Sequence, residues 1–237
     1  MPVYVYSIVG SDHPQRLDDL EGVGDPPAAL HTVDGGDLTA VVSDAPDDLR
    51  PKRRDLAAHQ AVQERLMSDG AVLPLQFGFT APDGDSVRAV LQERAEEFTE
   101  RLRALAGCVE YHLKAAQEEE SLLRRILMES DEARTLNEQI RGGDSDQKLA
   151  LALGELVAQE YQARQERLAG SVLDALRGHA REERLSEPTG NDFVSVSFLV
   201  EQDGEEDFRA AVNRLAEDLG GDFDLRLHGP LPVYSFV

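Results

Sequence analysis

The chain has 237 residues, of which 41% are apolar and 30% charged, a balance that supports one or two globular domains and argues against global disorder. Its 46 acidic residues outnumber 24 basic ones, for a formal net charge of −22, which disfavours nucleic-acid binding driven by phosphate neutralisation. No apolar run approaches the ~20 residues of a membrane span, and the single Cys108 rules out an internal disulfide and suits a reducing cytoplasm.

The opening Met1-Pro2-Val3-Tyr4-Val5 lacks the basic region of a signal peptide, and Val3 to Val9 reads directly as a strand covered on both faces. A loop rich in Asp, Gly and Pro runs from Gly10 to Ala29. Asp34-Gly35-Gly36 then turns into a second strand, Leu38 to Val42. Pro51 sits where a first helical turn tolerates proline, and Leu56, His59, Val62 and Leu66 form the apolar stripe of the helix that follows, up to Asp69-Gly70. Val72 to Phe79 is apolar but short and interrupted by Pro74 and Gly78, which fits an edge or bulged strand. Ser86 is the expected cap of a second helix with Val87, Val90, Leu91, Phe98, Leu102 and Leu105 inward. Residues 1–106 thus read as an α+β domain.

Gly107 to Ala115 alternates as a strand, and the chain then becomes helical. One helix is expected near Gln117 to Arg141, a break at Gly142-Gly143-Asp144, and a second helix capped by Ser145 and reaching about Arg184, with Leu185 inward. These form a long αα-hairpin at about 117–186. Phe193 to Val200 is a clear strand, with Val194, Val196, Phe198 and Val200 on one face and Ser195 and Ser197 on the other. A helix with Phe208, Ala211, Val212, Leu215 and Leu219 inward ends at Gly220-Gly221. Phe223 to Leu227 and Val233 to Val237 are read as the last two strands. The overall expectation is an α+β chain of two domains, 1–106 and 107–237, the second ferredoxin-like with the helical hairpin inserted.

Candidates for chemistry are weak. The six histidines, at positions 13, 31, 59, 112, 179 and 228, include no pair at metal-ligand spacing. His59, on an apolar stripe, reads as a packing residue, and Cys108 as a buried thiol. Acidic runs such as Glu118-Glu119-Glu120 point in different directions around a helix and read as solvated faces. No phosphate-binding glycine loop or nucleophile motif is present. Arg50, Lys52, Arg53 and Arg54 form a basic cluster that offsets surrounding negative charge or tethers an acidic partner. No catalytic, cofactor-binding or metal-binding residue is expected. The charge itself predicts a salt-loving host, a halophilic archaeon, because repulsion among acidic groups fades as the Debye length falls to about 3 Å at molar salt. A GC-rich genome, favouring Arg over Lys and Asp over Asn, is the alternative source of the bias.

Several segments together resemble the GvpF/GvpL family of gas vesicle proteins. They are Val3-Tyr4-Val5-Tyr6-Ser7-Ile8-Val9, Leu38-Thr39-Ala40-Val41-Val42-Ser43, and His59-Gln60-Ala61-Val62 followed by Val72-Leu73-Pro74-Leu75-Gln76-Phe77-Gly78. Gly107-x-x-Glu110 with Lys114, and the ending Gly229-Pro230-Leu231-Pro232-Val233-Tyr234-Ser235-Phe236, complete the set. Gln76 departs from the pattern, which has arginine before the phenylalanine. The resemblance is nearer the F type, and implies a cytoplasmic, gas-vesicle-associated accessory protein without enzymatic activity. It also implies binding to the hydrophobic GvpA-type shell protein and to other accessory proteins, with the oligomeric state open. Partner-binding positions expected on this basis are Leu73, Leu75, Phe77, Phe79, Val233, Tyr234 and Phe236, whose alternative role is ordinary core. A ferredoxin-like regulator with a polar small-ligand pocket between domains is the rival class.

Overall fold

The structure is a computed structural model that describes residues 1–142 and 147–237. It is a mixed α/β fold with two antiparallel sheets. The chain divides into two compact units, Met1–Tyr111 with Gly229–Val237, and His112–His228. The tail therefore belongs with the first unit, where the sequence reading had grouped it with residues 107–237.

In the first unit, β1 (Val3–Gly10) lies inside a sheet with β2 (Leu30–Asp34), β3 (Leu38–Asp44) and β4 (Val72–Pro74), in the order β2-β3-β1-β4, and β5 (Thr80–Ala81) also pairs with β1. Helices flank both faces of this sheet, so β1 is buried on both sides, which accounts for its unbroken apolar and aromatic run. The unexpected β2 is joined to β3 by a tight turn in which the Asp34 carboxylate accepts from the Gly36 N–H at 2.8 Å and Gly36 takes φ +103°.

A bulge in β1 sets which side chains go where. Val5 pairs with Val42 and Ser7 with Val41, leaving Tyr6 as the extra residue. The alternation changes phase there. Tyr4, Tyr6 and Val9 pack with Val62 and Leu66 of α1 (Arg53–Asp69), whereas Val5 and Ile8 turn to the opposite face. That opposite face is flanked by α2 (Gly84–Glu93) and α3 (Ala95–Leu105), where one continuous helix was expected. The break at Arg94 spans an apolar gap between Leu91 and Phe98 and lets Val87 and Leu91, then Leu102 and Leu105, all become buried. The cap of α2 is Asp83, whose carboxylate accepts from the Ser86 N–H at 2.7 Å, and not Ser86 itself.

The second unit carries a sheet in the order β7-β8-β6-β9, built from β6 (Cys108–Gln117), β7 (Glu182–Leu185), β8 (Asp192–Glu201) and β9 (Phe223–Leu231). Between β6 and β7 lie α4 (Glu119–Glu129), α5 (Asp131–Arg141) and α6 (Gln147–Arg177). The expected first arm of the hairpin is thus two helices, because Ser130 stops α4 and caps α5, accepting from the Ala133 N–H at 3.3 Å. Leu122, Ile126 and Ala133 bury against Leu153, Leu156 and Tyr161 of α6. The Gly143-Asp144 part of the expected break and the Ser145 cap lie outside the described residues.

The helix expected to reach Arg184 stops at Arg177, and Glu182 to Leu185 pairs instead with β8, leaving Leu185 65% exposed. On β8 the ring of Phe198 meets Phe208 of α7 (Glu205–Leu219) at 5.3 Å. Finally, β9 runs on to Leu231, and the expected last strand is a 3₁₀ turn at Tyr234–Phe236.

Candidate partner-binding groove

Beyond Leu231, where β9 ends, the tail is held by specific bonds rather than by strand pairing. The buried Glu110 carboxylate accepts from both the Ser235 N–H (2.8 Å) and the Ser235 hydroxyl (2.6 Å). Val233 and Phe236 are buried. Gly229 has φ +149°, and a Cβ there would lie 2.5 Å from the Tyr111 ring and 2.9 Å from the Glu110 carbonyl oxygen, so only glycine brings the tail in this close.

Tyr234 reaches the centre of the α1 side. Its hydroxyl lies 3.2 Å from His59 Nε2, while the Tyr4 hydroxyl lies 2.9 Å from His59 Nδ1. Tyr4 also accepts from the Gly78 N–H at 3.1 Å, so both ring nitrogens of His59 face a tyrosine hydroxyl within the same network. Gln63 completes the network, donating to the Tyr6 carbonyl (2.6 Å) and accepting from Ser7 Oγ (2.5 Å). Burial pushes the His59 pKa down to about 4 and that of Tyr234 up to about 12, the nearby Glu110 charge adding to the latter; burial also raises Tyr4. At neutral pH none of the three is charged, so this is a satisfied packing hub.

The opposite face is different. Val5, Ile8 and Leu73 floor a groove of about 540 Å³, walled by Leu75, Val87, Leu91 and Phe98. Its mouth carries Phe79, Val90 and Val237, which are 52%, 45% and 49% exposed. Large apolar side chains gathered at one opening mark an interaction surface more often than chance exposure does. Two arginines reach the groove. Arg94 grips the Glu97 carboxylate at 2.5 and 2.8 Å and lies 4.8 Å from the Phe98 ring centre. Arg101 is half-buried, and no described residue gives it a carboxylate partner.

The seven expected partner-binding residues therefore separate. Leu73, Leu75 and Phe79 line the groove. Phe77 packs against Tyr4 and His59 at 5.9 and 5.8 Å between ring centres, and Tyr234 bonds His59 from the same side. Val233 and Phe236 are core. Val90, which helical spacing placed inward, is instead 45% exposed at the mouth, and neither Arg101 nor Val237 was expected at a partner surface, because nothing local shows which face the helix break and the β1 bulge leave open.

In the second unit, His112 lies between Ser197 Oγ (2.9 Å) and Ser195 Oγ (3.3 Å), a Ser–His cluster also missed from sequence. Both serines are 3% exposed, too enclosed to meet a substrate as nucleophiles. Among the described residues no group of three His, Cys, Asp or Glu side chains could hold a metal ion, and no helix is long and apolar enough to cross a membrane.

Sequence and fold now agree on the class: the chain belongs to the gas vesicle synthesis protein GvpL/GvpF family, which it matches over residues 2–237. Gas vesicle protein F of Streptomyces sp. (strain CB03234) is 46% identical over the whole of both chains. Gas vesicle protein F of Haloferax mediterranei is 24% identical over 99% of this chain and 92% of its own. The crystal structure of the gas vesicle protein GvpF from Anabaena sp. PCC7120 shares the fold at a TM-score of 0.87, with 22% identity, covering 99% of this chain and 97% of that one. The greater identity lies with the Streptomyces protein, so kinship lends no weight to the halophilic-archaeal origin expected from the charge.

Proposed function

We propose that this chain is a non-enzymatic, cytoplasmic accessory protein of gas vesicle assembly that binds the hydrophobic shell protein, keeping it soluble or nucleating the shell, and that also contacts other accessory proteins. The observation that carries this reading is the open apolar groove on a protein of net charge −22. An aggregation-prone apolar subunit needs a complementary apolar surface, and a strongly charged carrier keeps the pair dispersed. Leu73, Leu75 and Phe79 contribute directly to that surface; Phe77, Val233, Tyr234 and Phe236 support it by fixing the tail and the Tyr4 side. We read the second unit as ferredoxin-like, a βαββαβ arrangement with α4 to α6 in the first crossover.

The test is co-purification of the tagged chain with its shell subunit in high and in low salt. A soluble complex supports the reading, whereas a folded protein that captures nothing in either condition overturns it. The rival regulator calls for a polar pocket, and the groove of the first unit is lined mainly by apolar side chains.

A further inference from the structure

The groove has a chemistry that specifies its occupant beyond "apolar". Its floor strand β1 is already hydrogen-bonded on both sides, to β3 on one and to β4 and β5 on the other. An extended segment laid on this face would find no open ladder on β1. The outer strand β4 offers only Val72–Pro74, the last without an N–H, so most of the segment's N–H and C=O groups would be buried without partners. A helix satisfies its backbone internally and offers only side chains, at i, i+3, i+4 and i+7. The lining matches such a stripe, with Val5, Ile8 and Leu73 below and Phe79, Val90 and Val237 at the mouth.

Charge narrows the choice further. Because Arg94 and Glu97 pair with each other, Arg101 is the groove arginine that has no side-chain carboxylate partner among the described residues. On an otherwise acidic surface, an arginine half-buried beside an apolar floor selects a carboxylate that arrives together with aliphatic side chains. The three exposed mouth residues favour a macromolecular occupant, since they need a covering surface and not only a filled cavity.

We infer that the groove takes an amphipathic helix of the shell subunit, its apolar stripe seated on Val5, Ile8 and Leu73 and a flanking Asp or Glu paired with Arg101. This rests on the accessory reading above.

The experiment is capture of the co-expressed shell subunit by the full chain and by two variants, Val90→Asp and Arg101→Glu, with circular dichroism and thermal midpoints as folding controls. Both variants should retain the wild-type midpoint and lose at least about tenfold in capture, the loss that about 1.4 kcal/mol of binding represents. Replacing shell-subunit carboxylates one at a time by lysine should restore capture by Arg101→Glu at one position. Should Val90→Asp fail to fold, the charge exchange at Arg101 decides alone. Equal capture by the wild type and both variants overturns the groove assignment and leaves the accessory reading standing. Absence of capture by the wild type in either salt overturns both. If dodecanoate raises the wild-type midpoint but not that of Arg101→Glu, while capture is unchanged, the groove is a small-amphiphile site and the helix assignment is wrong.

Discussion

On the α1 side of the first sheet, Tyr4, Tyr6 and Val9 are fully buried, and His59, Gln63, Ser7 and the tail residue Tyr234 answer one another's hydrogen bonds. On the other side, residues of the same strand, Val5 and Ile8, look into a groove whose mouth leaves Phe79, Val90 and Val237 in water. Apolar area alone does not distinguish the two. What differs is closure: one face has a 17-residue helix laid across it, and the other has two shorter helices with a break at Arg94 between them. The closed face should govern stability and the open one binding, so substitutions on the two faces should change different observables.

The largest effect is expected from the tail that completes the closed side. Phe236→Ala should lower stability by about 3–5 kcal/mol, since it removes a ring that is 1% exposed and leaves a cavity beneath the 3₁₀ turn. An unchanged denaturant midpoint would show that the tail is an appendage. Next comes a pH effect that belongs to the closed face alone. His59 is held at about 4 when folded, against 6.5 in the unfolded chain. Between those values the unfolded state binds the extra proton, so the contribution of His59 is whole above about pH 6.5 and is lost as pH falls towards 4. The loss reaches at most about 3 kcal/mol. His59→Asn should flatten that part of the stability profile relative to wild type, and parallel profiles would place the imidazole in water.

Much of the closed face was legible because its signals are local. Val3 to Val9 is an unbroken β-prone run, and His59, Val62 and Leu66 keep helical spacing. The tail was legible only in part. Val233 to Val237 has strand-like composition, yet it turns as a 3₁₀ segment because Glu110, 125 positions away from Ser235, captures that residue's N–H and hydroxyl. Likewise β7, with Glu182, Glu183 and Arg184, has no strand propensity to speak of; pairing with β8 and the bond from Arg177 to the Glu183 carboxylate hold it. The groove combines both cases. Leu75 and Phe79 stood out as apolar residues in a broken segment, whereas Val90, which helical spacing turned inward, and Arg101 take their places from the Arg94 break, and Val237 from the turn of the tail.

Smaller effects sharpen the contrast. Glu110→Ala removes both bonds to Ser235 and should cost about 1–3 kcal/mol, with Glu110→Gln intermediate because its amide keeps one acceptor. If Glu110→Ala also frees the tail, a protease should cut near Ser235 faster than in wild type. Hydrogen exchange at the Ser235 amide reports the same event without cleavage.

The smallest change in stability is expected at Phe79, and it is the most informative. Its side chain is 52% exposed, so Phe79→Ser should alter unfolding free energy by no more than about 0.5 kcal/mol. Its backbone is the anchored part: the Phe79 carbonyl accepts from the Val5 N–H at 3.0 Å, a bond that the substitution leaves in place. Stability and binding should therefore come apart at this residue, with capture of the shell subunit reduced while the denaturation curve overlays that of wild type. A stability loss approaching that of Phe236→Ala would mean that the groove is closed in solution and that both faces of the sheet are core. Unchanged stability together with unchanged capture would keep the face open and move the binding surface elsewhere on the chain.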